Sequence, residues 1–209
     1  GALIINNKDV MKKAKLLRSW GRSSSLFDEK SEAIENRFNV NLEGIEYDAK
    51  FVFEKIGYNL EGNELGASFG LVQLEDLQKN IDTRQENFKR QTSFFSNYPD
   101  FFINPQETLG SNTAWLAFPI LIKENAPFSR KEFQIFLEKR NIQTRVVFTG
   151  NINRQPGFVN INKKVRDEGY PNSDNVMKNG VLLPLHHGLT NEMFEKLHSV
   201  IDEFIKIYS

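Results

Sequence analysis

Gly57-Tyr58-Asn59-Leu60-Glu61-Gly62-Asn63-Glu64-Leu65-Gly66-Ala67-Ser68-Phe69-Gly70-Leu71-Val72-Gln73-Leu74 is the stretch on which the rest of the chain turns. It opens as a glycine-bounded turn and runs into apolar residues at helical spacing. Gly57 permits backbone angles closed to other residues, and Asn59 can bond a neighbouring backbone amide or a ligand oxygen. Glycine is costly inside a helix. Gly66, Ala67, Ser68 and Gly70 therefore suit a helix that lies very close to another backbone or to a bound ligand. From these residues alone the run is a tight turn feeding a closely packed helix.

Working outward, composition sets limits. The 209 residues allow one ordinary domain or two small ones, with 39% apolar residues and 18 Phe for a core. Twenty-seven basic and 27 acidic residues cancel. Such a chain has no electrostatic reason to bind nucleic acid or an anionic membrane. No apolar run reaches the roughly 20 residues of a membrane span, and no signal-peptide pattern is present. The absence of cysteine excludes disulfides, thiolate metal sites and iron–sulfur ligation, and fits a cytoplasmic protein. His186, His187 and His198 lack a metal-ligand spacing, so surface or packing roles are expected.

Before the run, residues 2–5 read as a buried strand with no lead-in, which points to the C-terminal part of a longer polypeptide. Asn7 caps an expected helix over residues 8–19, with Val10, Met11, Ala14 and Leu17 as its inner stripe. Residues 20–57 form a long polar connection, with a turn of helix expected at 31–36. After the run, the helical pattern continues through Leu77, Ile81 and Phe88 to Phe94-Phe95, with a break near Asn80. Tyr98-Pro99 and Asn104-Pro105 mark a linker, and the domain boundary is set near residue 100.

Residues 101–209 read as a small α/β unit. Residues 113–123 form a strand that Pro119 marks as an edge or bulged strand. Ser129-Arg130-Lys131-Glu132 is a capping box opening a helix with Phe133, Phe136 and Leu137 inside. Further strands follow at 144–148 and 181–185, with a short helix at 172–178. A last helix opens at Thr190, with Phe194, Leu197, Ile201, Phe204 and Ile205 on its apolar face. Arg145, Asn151 and Arg154 sit at one strand end and the loop after it. An amide and guanidinium groups there suit the hydroxyls and phosphates of a ligand. By composition alone, the competing reading is that Asn151 and Arg154 organise their own loop.

Gly57-Tyr58-Asn59, with Ala67, Gly70 and Gln73-Leu74 after it, resembles a segment of the DegT/DnrJ/EryC1/StrS family of pyridoxal-phosphate (PLP) enzymes that act on nucleotide-linked sugars. Gly1-Ala2 resembles the end of the family's Gly-Glu-Gly-Gly motif. Leu183-Pro184-Leu185-His186 and Gly188-Leu189-Thr190 resemble its terminal pattern. Trp20-Gly21-Arg22, Tyr47-Asp48 with Lys50-Phe51, and Thr144-Arg145 with Phe148, Gly150-Asn151, Arg154-Gln155-Pro156 and Phe158 are similar to the branch of CDP-4-keto-6-deoxyglucose 3-dehydrases of lipopolysaccharide biosynthesis. That branch carries cluster cysteines between Trp-Gly-Arg and Arg-Phe. Here residues 23–36 precede Arg37-Phe38 with none, so no iron–sulfur cluster is expected.

The resemblance spans essentially the whole chain. It implies an α/β fold: the C-terminal part of the aspartate-aminotransferase-like (type I) PLP fold. Residues 1–100 would end the large domain, and 101–209 would form a small α+β C-terminal domain. It implies PLP or pyridoxamine phosphate as cofactor and a homodimer in which Asn59 reaches the phosphate of the neighbouring subunit's PLP. Trp20, Arg22, Tyr58, Arg145, Asn151 and Arg154 would contact the nucleotide-sugar. By family spacing, the deciding base lies a few positions before Gly1: a lysine in aminotransferases, a histidine in 3-dehydrases. No catalytic residue is therefore assigned within this sequence, and the piece alone would be inactive. The expected reaction is C-3 dehydration of a nucleotide-linked 4-keto-6-deoxy sugar. Transamination of the same substrate class is the alternative, and a non-catalytic binding module is the reading if the chain is complete.

Overall fold

A computed structural model of the chain describes residues 2–27 and 40–208. The expected helical turn at 31–36, Arg37-Phe38 and Gly1 lie outside the described residues. The chain divides into two compact units, Gly1–Gln73 and Leu74–Ser209. Residues 74–100, on the near side of the boundary expected near residue 100, belong to the second unit, and their Phe88 and Phe95 are buried in its core.

In the first unit, helix α1 spans Lys8–Arg18. The Asn7 side chain caps it, accepting from the amides of Asp9 (2.9 Å) and Val10 (3.1 Å). The expected inner stripe is displaced. Leu16 is the buried residue, while Val10 and Leu17 stay 51% and 40% exposed. The chain doubles back after α1, and the Gly21 amide bonds the Leu16 carbonyl at 2.7 Å, covering that side. Residues 2–5 do not form the expected strand. They pair with nothing among the described residues, and Leu3 and Ile4 are exposed. A strand exists through its neighbour's hydrogen bonds, so apolar composition alone does not make one.

Strands β1 (Val40–Leu42) and β2 (Ile45–Tyr47) form a hairpin over Glu43-Gly44. Both turn residues have positive φ (52° and 93°), the twist-matched geometry of a two-residue turn. Helix α2 (Glu64–Glu75) follows the central run, and α3 (Leu77–Phe95) follows α2. The break falls at Asp76 rather than near Asn80, whose amide bonds the Asp76 carbonyl within the helix.

The second unit packs helices on a four-stranded antiparallel sheet in the order β3-β4-β6-β5. Its strands are β3 (Phe102–Ile103), β4 (Phe118–Ile122), β5 (Arg145–Val146) and β6 (Gly180–Leu183). Contrary to expectation, β4 is an inner strand. Pro119 is tolerated because β3 pairs only with Leu121 and Ile122, so at Pro119 the strand has β6 as its sole neighbour. Helix α4 (Arg130–Glu138) begins with the reciprocal Ser129/Glu132 box. Helices α5 (Pro171–Asn179) and α6 (Asn191–Ile205) follow. The expected face of α6 is buried throughout.

Phenylalanine dominates this core. Phe95, Phe118, Phe133, Phe194 and Phe204 are all at most 2% exposed, and Phe88 stacks on Trp115 with ring centroids 4.4 Å apart. Burying such rings stabilises by roughly 1.5–3 kcal/mol each relative to exposure. No described helix is long and apolar enough to cross a membrane.

Candidate functional site

In the first unit four of the nominated residues come together at the end of α1. The last carbonyls of a helix have no partner within it. Here the central run supplies partners. The Tyr58 amide bonds the Leu17 carbonyl (2.7 Å), the Leu60 amide bonds the Arg18 carbonyl (2.8 Å), and the Trp20 amide returns to the Tyr58 carbonyl (2.8 Å). Asn59 lies between these bonds, opposite Ser19 in an antiparallel bridge. Arg18 Nε and Glu61 Oε1, 3.3 Å apart, add an ion pair beside it.

Two glycines make this crossing possible. A Cβ on Gly57 would lie 2.4 Å from the Gly21 nitrogen, and one on Gly21 would lie 1.7 Å from the Lys55 carbonyl oxygen. Gly21 also needs its φ of 84°, and Trp20 beside it is held at φ 54°. Left-handed angles at a residue other than glycine cost of order 1–3 kcal/mol and persist where surrounding contacts over-determine them.

The Asn59 side chain is exposed; its Oδ1 accepts weakly from the Glu61 amide (3.4 Å), and its Nδ2 has no bond among the described residues. The Arg22 guanidinium lies 4.6 Å from the centroid of the Trp20 ring. Its Nη2 donates to Ser19 Oγ at 3.4 Å, while its Nε is buried without a partner among the described residues. The exposed Asn59 amide on this loop crossing fits a phosphate group, which offers only acceptors. The residues present are therefore compatible with the phosphate of PLP.

The second unit treats its nominated residues differently. Asn151 is 6% exposed and donates from Nδ2 to Asp174 Oδ1 at 2.7 Å. Arg154 grips the same carboxylate through Nε and, at 2.6 Å, through Nη2. These bonds hold the Asp174 carboxyl down at about 2, Arg154 contributing most and Asn151 next. Through this one carboxylate both side chains tie the loop after β5 to α5. Asp174, in the first turn of α5, is the partner that sequence reasoning missed. Nothing in its spacing marks it, since it lies 20 residues beyond Arg154.

Arg145 stands apart on β5. With Leu116, Phe148, Leu183, Leu185 and His186 it lines a hollow of about 540 Å³. Phe148 is 75% exposed at φ 46°. His186 Nδ1 accepts from the Gly188 amide at 3.0 Å. Burial, then the charges of His187 and Arg84, push its pKa below the ordinary histidine value. Among the described residues no group of histidine and carboxylate side chains could hold a metal ion.

The fold and these loops define a class. The chain belongs to the DegT/DnrJ/EryC1/StrS aminotransferase family, which it matches over residues 1–202. Its described parts have the fold of the C-terminal portion of PLP aminotransferase-like proteins. Within the family it is 31% identical over 206 residues to the lipopolysaccharide biosynthesis protein RfbH of Salmonella typhimurium, covering 98% of this chain and 47% of that protein. It is 30% identical over 207 residues to the dTDP-4-dehydro-2,6-dideoxy-D-glucose 3-dehydratase of Saccharopolyspora spinosa, covering 98% and 44%. Among solved structures it resembles an E. coli GDP-4-keto-6-deoxy-D-mannose-3-dehydratase with bound hydrated PLP. That likeness has a TM-score of 0.76 at 21% identity, over 94% of this chain and 48% of the other. The chain thus spans about half the length of the relatives it matches.

Proposed function

We propose that this chain forms part of a PLP- or PMP-dependent enzyme that removes the C-3 hydroxyl of a nucleotide-linked 4-keto-6-deoxy sugar on a route to a surface polysaccharide. The observation that carries the reading is the match along 98% of the chain to a sugar 3-dehydratase and to a lipopolysaccharide biosynthesis protein. Transamination of the same substrate class is the second reading, favoured by 27% identity over 205 residues to a dTDP-4-amino-4,6-dideoxy-D-glucose transaminase of Shigella dysenteriae.

In this proposal Asn59 donates its amide to the cofactor phosphate of a neighbouring subunit. The exposed, backbone-clamped position of Asn59 supports that role. Trp20, Arg22 and Tyr58 border the same loop crossing and face the bound molecules. Arg145 meets the nucleotide's phosphates, while Asn151 and Arg154 shape the loop beside them through Asp174. The bound cofactor supplies the electron sink for bond cleavage at the sugar.

A homodimer accounts for another feature. Helix α2 buries none of its residues, yet Leu65, Phe69, Leu71, Val72 and Leu74 are 59–85% exposed. A helix apolar on all sides is normally covered, and a second subunit fits that need.

Product analysis separates the two readings. The protein as encoded is incubated with a nucleotide-linked 4-keto-6-deoxy sugar, the cofactor and an amino donor, and the sugar is examined by NMR. Loss of the C-3 hydroxyl with the C-4 oxygen retained supports dehydration. A C-4 amino sugar with the C-3 hydroxyl intact establishes transamination instead. No conversion of either kind leaves the non-catalytic module as the reading.

A further inference from the structure

The second unit carries a groove of which the reading above uses only Arg145, at one end. It is a shallow, open groove of about 750 Å³ between the outward side of α4 and β5, the terminal strand of the sheet. Arg130, Lys131, Lys139 and Arg145 line it, with Ile135 and Val146 exposed by 43% and 46% between them. Among the described residues none of the four cations makes an ion pair. The one carboxylate in the lining, Glu138, is occupied, since its Oε1 accepts from Thr144 Oγ1 at 2.9 Å and from the Thr144 amide.

Arg130 opens α4 and Lys139 caps its C-terminal end, so about 13 Å separates them along its axis. A single phosphate cannot reach both ends. About four residues of extended polypeptide cover that distance at ~3.3 Å each. Beyond Thr144, whose amide Glu138 already holds, the outer edge of the two-residue strand β5 has no strand beside it among the described residues. A free sheet edge is a template for another strand.

We propose that this groove docks an extended acidic segment of a partner polypeptide along the free edge of β5. The segment's carboxylates meet Arg130, Lys131 and Lys139, and its alternate apolar side chains rest on Ile135 and Val146.

The test uses the full chain and a fluorescent hexapeptide of alternating Asp and Val with blocked ends, followed by anisotropy. Saturable binding that weakens with added salt is expected. The double variant K131E/K139E should weaken it by about tenfold or more, as two reversed surface charges imply. K12E/K13E, in the first unit, should leave it unchanged, with circular dichroism confirming that both variants are folded. A peptide N-methylated at alternate residues should lose binding, because methylation removes the edge hydrogen bonds. Absence of saturable binding would overturn the proposal. Equal binding of the methylated peptide, or equal competition by inorganic tripolyphosphate, would also overturn it by showing a site for linear anions without strand pairing.

Discussion

Asn59 faces Ser19 across a single antiparallel bridge, so the central run is fastened to the C-terminal end of α1 rather than to its own flanks. The Tyr58 and Leu60 amides bond the Leu17 and Arg18 carbonyls on either side. This relationship fixes the backbone at an exposed asparagine, which suits the phosphate contact proposed for it.

The crossing should fail if either glycine gains a side chain. G57A would set a Cβ 2.4 Å from the Gly21 nitrogen, and the nearest atoms it would meet are all backbone, which cannot swing aside. Forced overpacking of this kind costs about 1–3 kcal/mol. A lower urea midpoint with weakened cofactor retention in the protein as encoded is the expected outcome, while G62A, with open space around it, should behave as wild type.

Removing the Asp174 charge should release two nominated residues together. In D174N, Arg154 and Asn151 lose their shared acceptor, and substrate KM should rise more than in a variant of either one. The pH dependence has a definite sign. The carboxyl titrates at about 2 in the folded chain against an ordinary 3.8. Its contribution is therefore present above about pH 4 and lost as pH falls toward 2. An NMR titration of the Asp174 carboxyl carbon reads this directly.

His198 gives a second acid-sensitive element. Its ring stacks on Phe94 at 3.8 Å and one nitrogen bonds the fully buried Gln91 at 2.9 Å, with Arg90 and Asp202 as the nearby charges. Tyr98, hydrogen-bonded to Asp202, is neutral throughout this range. Burial first, then Arg90, lowers the His198 pKa from 6.5 to about 4, with Asp202 opposing. Because the unfolded chain takes up the proton first, this stability is complete above about pH 6.5 and is lost as pH falls to 4. Urea midpoints over that range should slope less in H198Q than in wild type.

The apolar surface of α2 should hold subunits together. L65S/F69S replaces side chains that are 85% and 69% exposed and lie outside the buried core of the described residues. The expected result is a smaller particle by light scattering with an unchanged circular dichroism spectrum. An unchanged mass would remove α2 from the subunit contact.

Local chemistry was the legible part of this molecule. Asn7, Ser129 with Glu132, and Thr190 cap their helices as read, and the apolar face of α6 is buried as read. The family pattern was legible because its motifs occur in order along the chain. Long-range pairing was not. Pro119 carries no mark that β3 is only two residues long, and Leu3 with Ile4 carries no mark that residues 2–5 pair with no strand among the described residues. Asp174 was invisible for the same reason, as its bonds to Asn151 and Arg154 are made by folding and not by spacing.

The central claim, that Asn59 clasps the phosphate of PLP, is tested most directly by titrating PLP into wild-type and N59A forms of the protein as encoded. The account expects N59A to keep its fold and lose cofactor affinity by about tenfold or more, as loss of a bond to a charged group implies. Identical titration curves for the two proteins would contradict it.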